Sequence, residues 1–282
     1  MSGSVKLTIV SDSHLSPKTP EASANWDVLA AQLETAPPDA VIHTGDIARD
    51  GTAGEHELRF AKAELDKLPG NVYALPGNHD LGDNPCETNA DSDHLITRDR
   101  LDAYRQHFGD DRWAFDVGPW RLVGCNAQLF DSGLEAEEAQ WDWLGNELAT
   151  TTDDGRHRAV FLHKPLFHSD PQPAEHDLPI RYVRPTSRQR LLTMLEAASV
   201  RAVVSGHVHQ HRHLRARGMD HVWAPTSWAT LSEATQATIG ERWVGALDLT
   251  LADDGSVSIE PLRPPGVGQH IIGETIANPY EH

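Results

Sequence analysis

Cysteine is nearly absent from this chain. The two present, Cys86 and Cys125, stand in unlike contexts, a loop with glycine and proline and an apolar run, so a disulfide framework is excluded. Basic residues are scarce as well: 24 Lys and Arg stand against 42 Asp and Glu, a formal charge of -18. Affinity for a phosphate backbone rests on many cationic contacts, so neither a nucleic-acid polymer nor an anionic membrane is an expected partner. A small phosphorylated substrate remains compatible, because cations bound locally dominate the field inside a pocket. No apolar run approaches the roughly 18 residues of a membrane span, and Met1-Ser2-Gly3-Ser4-Val5-Lys6 is not a basic stretch leading into an apolar one. The expectation is a soluble, cytoplasmic protein.

What the chain does have is alternation. Short apolar runs at Lys6–Val10, Ala40–Thr44, Asn71–Leu75, Arg121–Asn126, Arg158–Leu162 and Arg201–Ser205 read as strands. Between them, Trp26/Leu29/Leu33, Leu58/Ala61/Leu65/Leu68, Leu101/Tyr104/Phe108, Trp141/Leu144/Leu148 and Leu191/Leu195 recur at three and four, the stripe of a core-facing helix. This predicts a layered α/β fold. After residue 212 the helical period stops, and Trp243–Leu251 and Ser256–Leu262 predict a mainly antiparallel, strand-rich final third. Proline and glycine mark joints but no long linker, so one domain is expected over 1–265, with 266–282 as a tail or packing arm. The sequence leaves open whether that arm crosses to another subunit of a homo-oligomer.

Five of the strands run at once into residues that bind divalent metals, and strand C-terminal ends are where open α/β sheets place their sites. In order these are Ser11-Asp12-Ser13-His14, Thr44-Gly45-Asp46, Pro76-Gly77-Asn78-His79-Asp80, Leu162-His163-Lys164-Pro165 and Gly206-His207-Val208-His209. Carboxylate, carboxamide and imidazole together suit borderline or hard ions such as Mn, Fe or Zn. Histidine alone carries little weight in a chain with 17 of them. Asp12 or Asn78 in isolation would be read as a turn or capping residue, and a lone His163 as a core histidine.

The ordered set resembles the calcineurin-like metallophosphoesterases, whose pattern is D-x-H, G-D, G-N-H-D or E, H, and G-H-x-H, and in layout it is most similar to the small bacterial phosphodiesterases of the class III cyclic-nucleotide type. The resemblance covers about residues 7 to 209. It implies a four-layer α-β-β-α sandwich, two mixed β-sheets flanked by helices, with two metal ions at the strand ends. One ion would be held by Asp12, His14, Asp46 and His209, the other by Asp46, Asn78, His163 and His207, with Asp46 as the bridge. Such a pair, about 3.5–4 Å apart, activates a shared water and clamps the attacking and leaving oxygens of a phosphoryl displacement. The implied activity is hydrolysis of a small phosphoester, with a diester favoured, a cyclic nucleotide among the candidates, and a phosphomonoester or a non-catalytic scaffold as the alternatives.

By the same resemblance His79 would protonate the leaving oxygen, with a carboxylate to orient it; Asp50 is the expected partner and Asp80 its competitor. Substrate contacts are expected from Asn78 and His79 and from nearby side chains: Arg49, Lys164, His168, Arg181, Arg184 and the aromatic Trp228, each with ordinary packing or solvated charge as its plainer role. The iron–phenolate tyrosine of purple acid phosphatases has no counterpart beside Gly45-Asp46, so a purple colour is not expected.

Overall fold

β1 (Val5–Val10) is covered on both faces beyond its first turn of chain: Leu7 and Ile9 enter one apolar cluster and Val10 another. A strand buried on both sides belongs inside a layered fold. It runs parallel to β2 (Ala40–His43), which runs parallel to β3 (Val72–Ala74). On its other edge it is antiparallel to β11 (Ala246–Leu251), followed outward by β12 (Val257–Leu262). The computed structural model describes residues 4–149, 155–174, 177–178 and 180–280.

The second sheet has the order β4 (Trp113–Val117), β5 (Trp120–Gly124), β6 (His157–Phe161), β7 (Ala202–Ser205), β9 (Met219–Trp223) and β8 (Arg212–Ala216). Its four inner strands are parallel and its two edges antiparallel. Leu7, Ile9, Ile42 and Leu247 of the first sheet meet Leu122, Phe161 and Val204 of the second in the central layer. Outside the first sheet, α1 (Pro20–Thr35), α2 (Glu55–Leu65) and α4 (Arg98–Phe108) contribute Trp26, Leu29, Leu58 and Tyr104 to one cluster with Val10 and Val41. Outside the second, α5 (Glu135–Ala149) and α6 (Pro185–Ala197) bring Trp141, Leu144 and Leu191 onto Val123, Val160 and Val203. Each such side chain contributes roughly 1.5–3 kcal/mol by leaving water, which is why the helical stripes face inward. The result is the expected α-β-β-α sandwich.

The final third is strand-rich and mainly antiparallel, as expected: β8 pairs with β9, and β11 with β12 and β1. Its strands are shared between the sheets, β9 joining β7 in parallel while β11 and β12 return to the first sheet, where Leu247, Leu249 and Leu251 fill the central layer beside β1. β11 also starts three residues later than Trp243, because the Gln269 side-chain amide takes both the N–H and the C=O of Val244 at 2.9 Å. Among the described residues no helix is long and apolar enough to cross a membrane.

The C-terminal ends of β1, β2, β3, β6 and β7 come out along one edge of the sandwich. Across it, Ser227 N–H donates to Ser11 C=O at 2.9 Å and the Thr226 hydroxyl to Asp12 C=O at 2.8 Å, so the loops from the two sheets share one floor.

Candidate metal centre

Five of the seven expected ligands sit in left-handed backbone: Asp12, His14, Asp46, His207 and His209, with φ between 45° and 70°. Asp, Asn and His tolerate this region better than other side chains, and such strain concentrates where surrounding structure enforces it at functional sites. The enforcement is visible. Asp12 N–H and His14 N–H donate to Gly45 C=O and Asp46 C=O, both at 3.0 Å, which locks the first loop onto the second. The motif glycines are steric: a Cβ at Gly77 would lie 2.1 Å from Asp46 Oδ1, and one at Gly206 would lie 2.7 Å from Asp12 Oδ2.

Asp80 ties two loop segments together. Buried on α3 (Asn78–Leu81), its carboxylate accepts from the N–H groups of Gly77, Ile47 and Ala48 at 2.8–3.2 Å. Burial raises its pKa to about 7, with Asp46 adding to the shift and the three N–H groups opposing it.

Each ligand imidazole is anchored by the nitrogen that faces away from the centre. His163 Nδ1 meets Thr44 C=O at 2.9 Å, His209 Nδ1 meets Ala229 C=O at 2.6 Å, and His207 Nε2 meets Ile180 C=O at 2.7 Å. A carbonyl only accepts, so these nitrogens carry the hydrogen and the other nitrogen presents a lone pair inward. The inward pairs converge. His163 Nε2 lies 3.1 Å from His207 Nδ1, 3.3 Å from Asn78 Oδ1 and 3.2 Å from Asp46 Oδ2. In the other half, His14 Nε2 lies 3.2 Å from His209 Nε2 and 3.8 Å from Asp46 Oδ2, and His209 Nε2 is 3.5 Å from Asp12 Oδ1. Ligand atoms bonded at about 2.1 Å to one four- or six-coordinate ion stand about 3.0–3.4 Å apart, so the His163 half has the spacing of a coordination shell and the His14 half, at 3.2–3.8 Å, is somewhat wider. Lone pairs facing one another at this range repel unless a cation lies between them. The donor set therefore fits two ions, with Asp46 Oδ2 common to both.

The electrostatics agree. Burial would raise the Asp46 carboxyl, yet His163, His79 and His14 hold it well below the usual carboxylate range. Burial pulls His163 down, and the Asp46 carboxylate reverses this and lifts it to about 9. Burial, with His163 among the neighbours, pushes His14 and His207 well below 6.5, and burial raises Asp12. The carboxylates draw positive charge onto this cluster.

His43, which sits behind the ligands, gives a pH dependence. Gly45 N–H donates to its Nδ1 at 3.2 Å, so its Nε2–H faces Ser13 Oγ at 2.9 Å, and the neutral ring braces both loops. Burial first, then His163, lowers its pKa to about 3, against 6.5 when unfolded. Between these values the unfolded chain binds more protons than the folded one, so stability rises with pH there and is lost on acidification below about 6.5. From pH 7 to pH 5, urea unfolding of chelator-treated protein should show wild type losing about 2 kcal/mol more than His43→Gln. Equal losses in the two proteins would contradict this role.

Beside the ligands lies a cavity of about 240 Å³, lined by His14, Asp46, Asn78, His79, His207 and His209, by Arg181, and by an apolar wall of Ile180, Leu231, Ile272, Trp228 and Tyr280. His79 is held differently from the expectation. Its Nδ1 is 2.9 Å from the backbone C=O of Arg49, and neither Asp50 nor Asp80 takes that position. Asp50 accepts from the Thr52 hydroxyl at 2.7 Å and shares with His79 a smaller recess of about 80 Å³. A backbone carbonyl is equally able to fix the ring, and no side-chain motif reveals it.

Two expected substrate contacts are used internally. The buried Arg49 guanidinium pairs with Glu57 at 3.1 Å, and Lys164 Nζ bonds Asp83 at 2.5 Å and Asn84 at 2.7 Å. His168 meets Ser169 Oγ at 3.1 Å and is not among the lining residues. Trp228 is 1% exposed, yet its ring centroid lies 5.0 Å from that of His14 and it lines the cavity, so its packing and site roles coincide. The sequence reading missed Tyr280, Ile180, Leu231 and Ile272, which lie outside any motif.

Residues 5–211 match the calcineurin-like phosphoesterase family model. A serine/threonine-protein phosphatase of Danio rerio, CPPED1, is 30% identical over 207 residues, 70% of this chain and 62% of its own length. A probable cyclic nucleotide phosphodiesterase of Rhodococcus erythropolis is 30% identical over 177 residues, 62% of this chain and 52% of its own. The chain thus spans less than two thirds of these relatives. Among solved structures, a dimetal phosphatase from Danio rerio superposes with a TM-score of 0.61 at 15% identity, covering 92% of this chain and 96% of that one, which is a likeness of fold.

Proposed function

This chain belongs to the calcineurin-like phosphoesterase family, and on that footing we propose that it hydrolyses a small phosphodiester at a centre of two Mn, Fe or Zn ions. The carrying observation is that the inward nitrogens of His163 and His14 both face Asp46 Oδ2, with His207 Nδ1 beside the first and His209 Nε2 beside the second. Bound there, the ions would polarise phosphoryl oxygens and lower the pKa of a water.

The chain's own residues do the rest. Asp12, His14, Asp46 and His209 hold one ion, and Asp46, Asn78, His163 and His207 the other. Arg49 C=O fixes the His79 ring through Nδ1, which leaves Nε2 to hand a proton to the departing oxygen. Ile180, Leu231, Ile272 and the two aromatic rings keep bulk water from one side of the reacting phosphorus and offer an apolar seat to an ester arm.

The choice of diester rests on charge. Arg181 is the only Lys or Arg among the described residues lining the cavity, since Arg49 and Lys164 are committed elsewhere. A monoester dianion calls for more cationic partners than a diester monoanion. A flat apolar arm, aryl or nucleobase, suits the wall of Trp228 and Tyr280. The monoester reading is favoured by the Danio rerio relative, a serine/threonine-protein phosphatase.

Release of nitrophenol from bis- and mono-nitrophenyl phosphate by Mn-loaded protein, with cyclic AMP and glycerophosphodiesters alongside, separates the two. We expect kcat/KM to be about 10-fold or more higher for the diester. Preference for the monoester reverses the assignment, and no turnover with Mn, Zn, Fe or Co removes the enzyme reading in favour of a scaffold.

A further inference from the structure

The segment after residue 265 lies outside the region matched by the family, yet it is fastened along its course. Asn25 grips Gly268 through both backbone groups, at 2.7 and 3.1 Å. The Gln269 amide brackets Val244, β13 (His270–Ile272) pairs in parallel with β10 (Ala229–Leu231), and Arg49 Nη1 reaches Pro279 C=O at 3.5 Å. This course delivers Tyr280 to the metal centre. Its hydroxyl is 2.9 Å from His14 Nδ1, and its ring centroid lies 5.0 Å from that of His79.

The contact is chemically distinct from its counterparts. His163, His207 and His209 each place the outward nitrogen on a backbone carbonyl, whereas His14 alone places it on a side chain 266 residues away. For His14 Nε2 to bind an ion, Nδ1 must carry the hydrogen, so the phenol oxygen accepts. The hydroxyl then keeps its own hydrogen, which a carbonyl lacks, at the wall of the substrate cavity.

We infer that Tyr280 is a positioning residue of the ion site formed by Asp12, His14, Asp46 and His209, carried in by the C-terminal arm to fix the tautomer and aim of His14 and to wall the cavity beside His79. The inference rests on the two-ion reading of the centre. It makes the segment up to Tyr280 part of the site rather than a loose tail.

The test is Tyr280→Phe, which keeps the ring and removes only the hydroxyl. Chelator-treated protein is titrated with Mn(II), with free ion followed by electron paramagnetic resonance. Wild type should show two sites; in the variant one site should weaken about 10- to 100-fold while the other is unchanged. The unfolding midpoint of the chelator-treated variant should match wild type, and with Mn saturating, kcat should fall while KM for the diester holds. Two sites of wild-type affinity in Tyr280→Phe overturn the inference and leave the two-ion reading standing. Equal weakening of both sites with a lowered unfolding midpoint also overturns it, because it marks a purely structural role. A wild-type protein that takes up no Mn(II) overturns both.

Discussion

Asp46→Asn should lose both ions and lower kcat/KM by about 10³-fold or more, the loss expected when several kcal/mol of metal-derived stabilisation disappear. The reason lies in how the two oxygens are divided. Oδ1 accepts the backbone N–H of His79 at 2.8 Å, and Oδ2 is the atom that faces His163 at 3.2 Å and His14 at 3.8 Å. Asparagine can keep the first contact through its own oxygen, so the loop is preserved. In place of Oδ2 it puts an NH2 group that donates and cannot bind a cation. The substitution also removes the charge that lies between the two halves. Asn78→Ala is the natural comparison, since its Oδ1 stands beside His163 in one half only and its loss should deplete mainly that half. Metal analysis after gel filtration checks both variants; full two-ion occupancy in Asp46→Asn would refute the bridge.

His79→Ala should separate chemistry from metal binding. The ring lines the cavity and is fixed by the Arg49 carbonyl, and it stands outside both proposed ligand sets although it lies beside His14 and Asp46. Two ions should therefore remain bound while kcat falls about 10²- to 10⁴-fold, the range for loss of a placed general acid. The identity of the leaving group sharpens this. Nitrophenol departs well without a proton, so the loss should be smaller for a nitrophenyl diester than for an alkyl diester with the same second arm. An equal loss on both substrates would assign His79 to charge stabilisation of the transition state rather than to proton transfer. The backbone position 79 is itself used, through N–H to Asp46, and alanine retains it.

The parts of the fold legible in the sequence are those carried by local periodicity. Leu29, Leu58, Leu144 and Leu191 announced their helices by spacing, and β1, β2, β6 and β7 by short apolar runs, because each of these signals is the burial that the fold then realises. The clustering of the expected ligands was legible because strand, glycine and metal-binding residue type occur together in sequence, and Gly77 and Gly206 show why: nothing larger fits against Asp46 and Asp12. What escaped depends on long-range pairing. The Arg49 carbonyl that holds His79 is backbone, which leaves no mark on residue type. Arg49 and Lys164 read as free cations because Glu57 and Asp83, their partners, could not be distinguished from other acids in so acidic a chain. Tyr280 belongs to a stretch with no period, and only the bonds of Asn25 and Gln269 to distant backbone bring it to His14.

The same contrast explains the final third. Alternation in Ala246–Leu251 marks a strand but says nothing of which sheet receives it, and the antiparallel register with β1, Leu7 opposite Leu249, is set by the shape of the central layer. Register and partner choice are tertiary properties, so a strand can be read correctly from sequence while the sheet that receives it stays open.

The most direct measurement is a crystal of wild-type protein grown with Mn(II) and recorded at a wavelength where manganese scatters anomalously. The account predicts two peaks per chain, one within bonding reach of Asp12, His14 and His209, the other within reach of Asn78, His163 and His207, with Asp46 touching both. A single peak, or two that do not share Asp46, would contradict it.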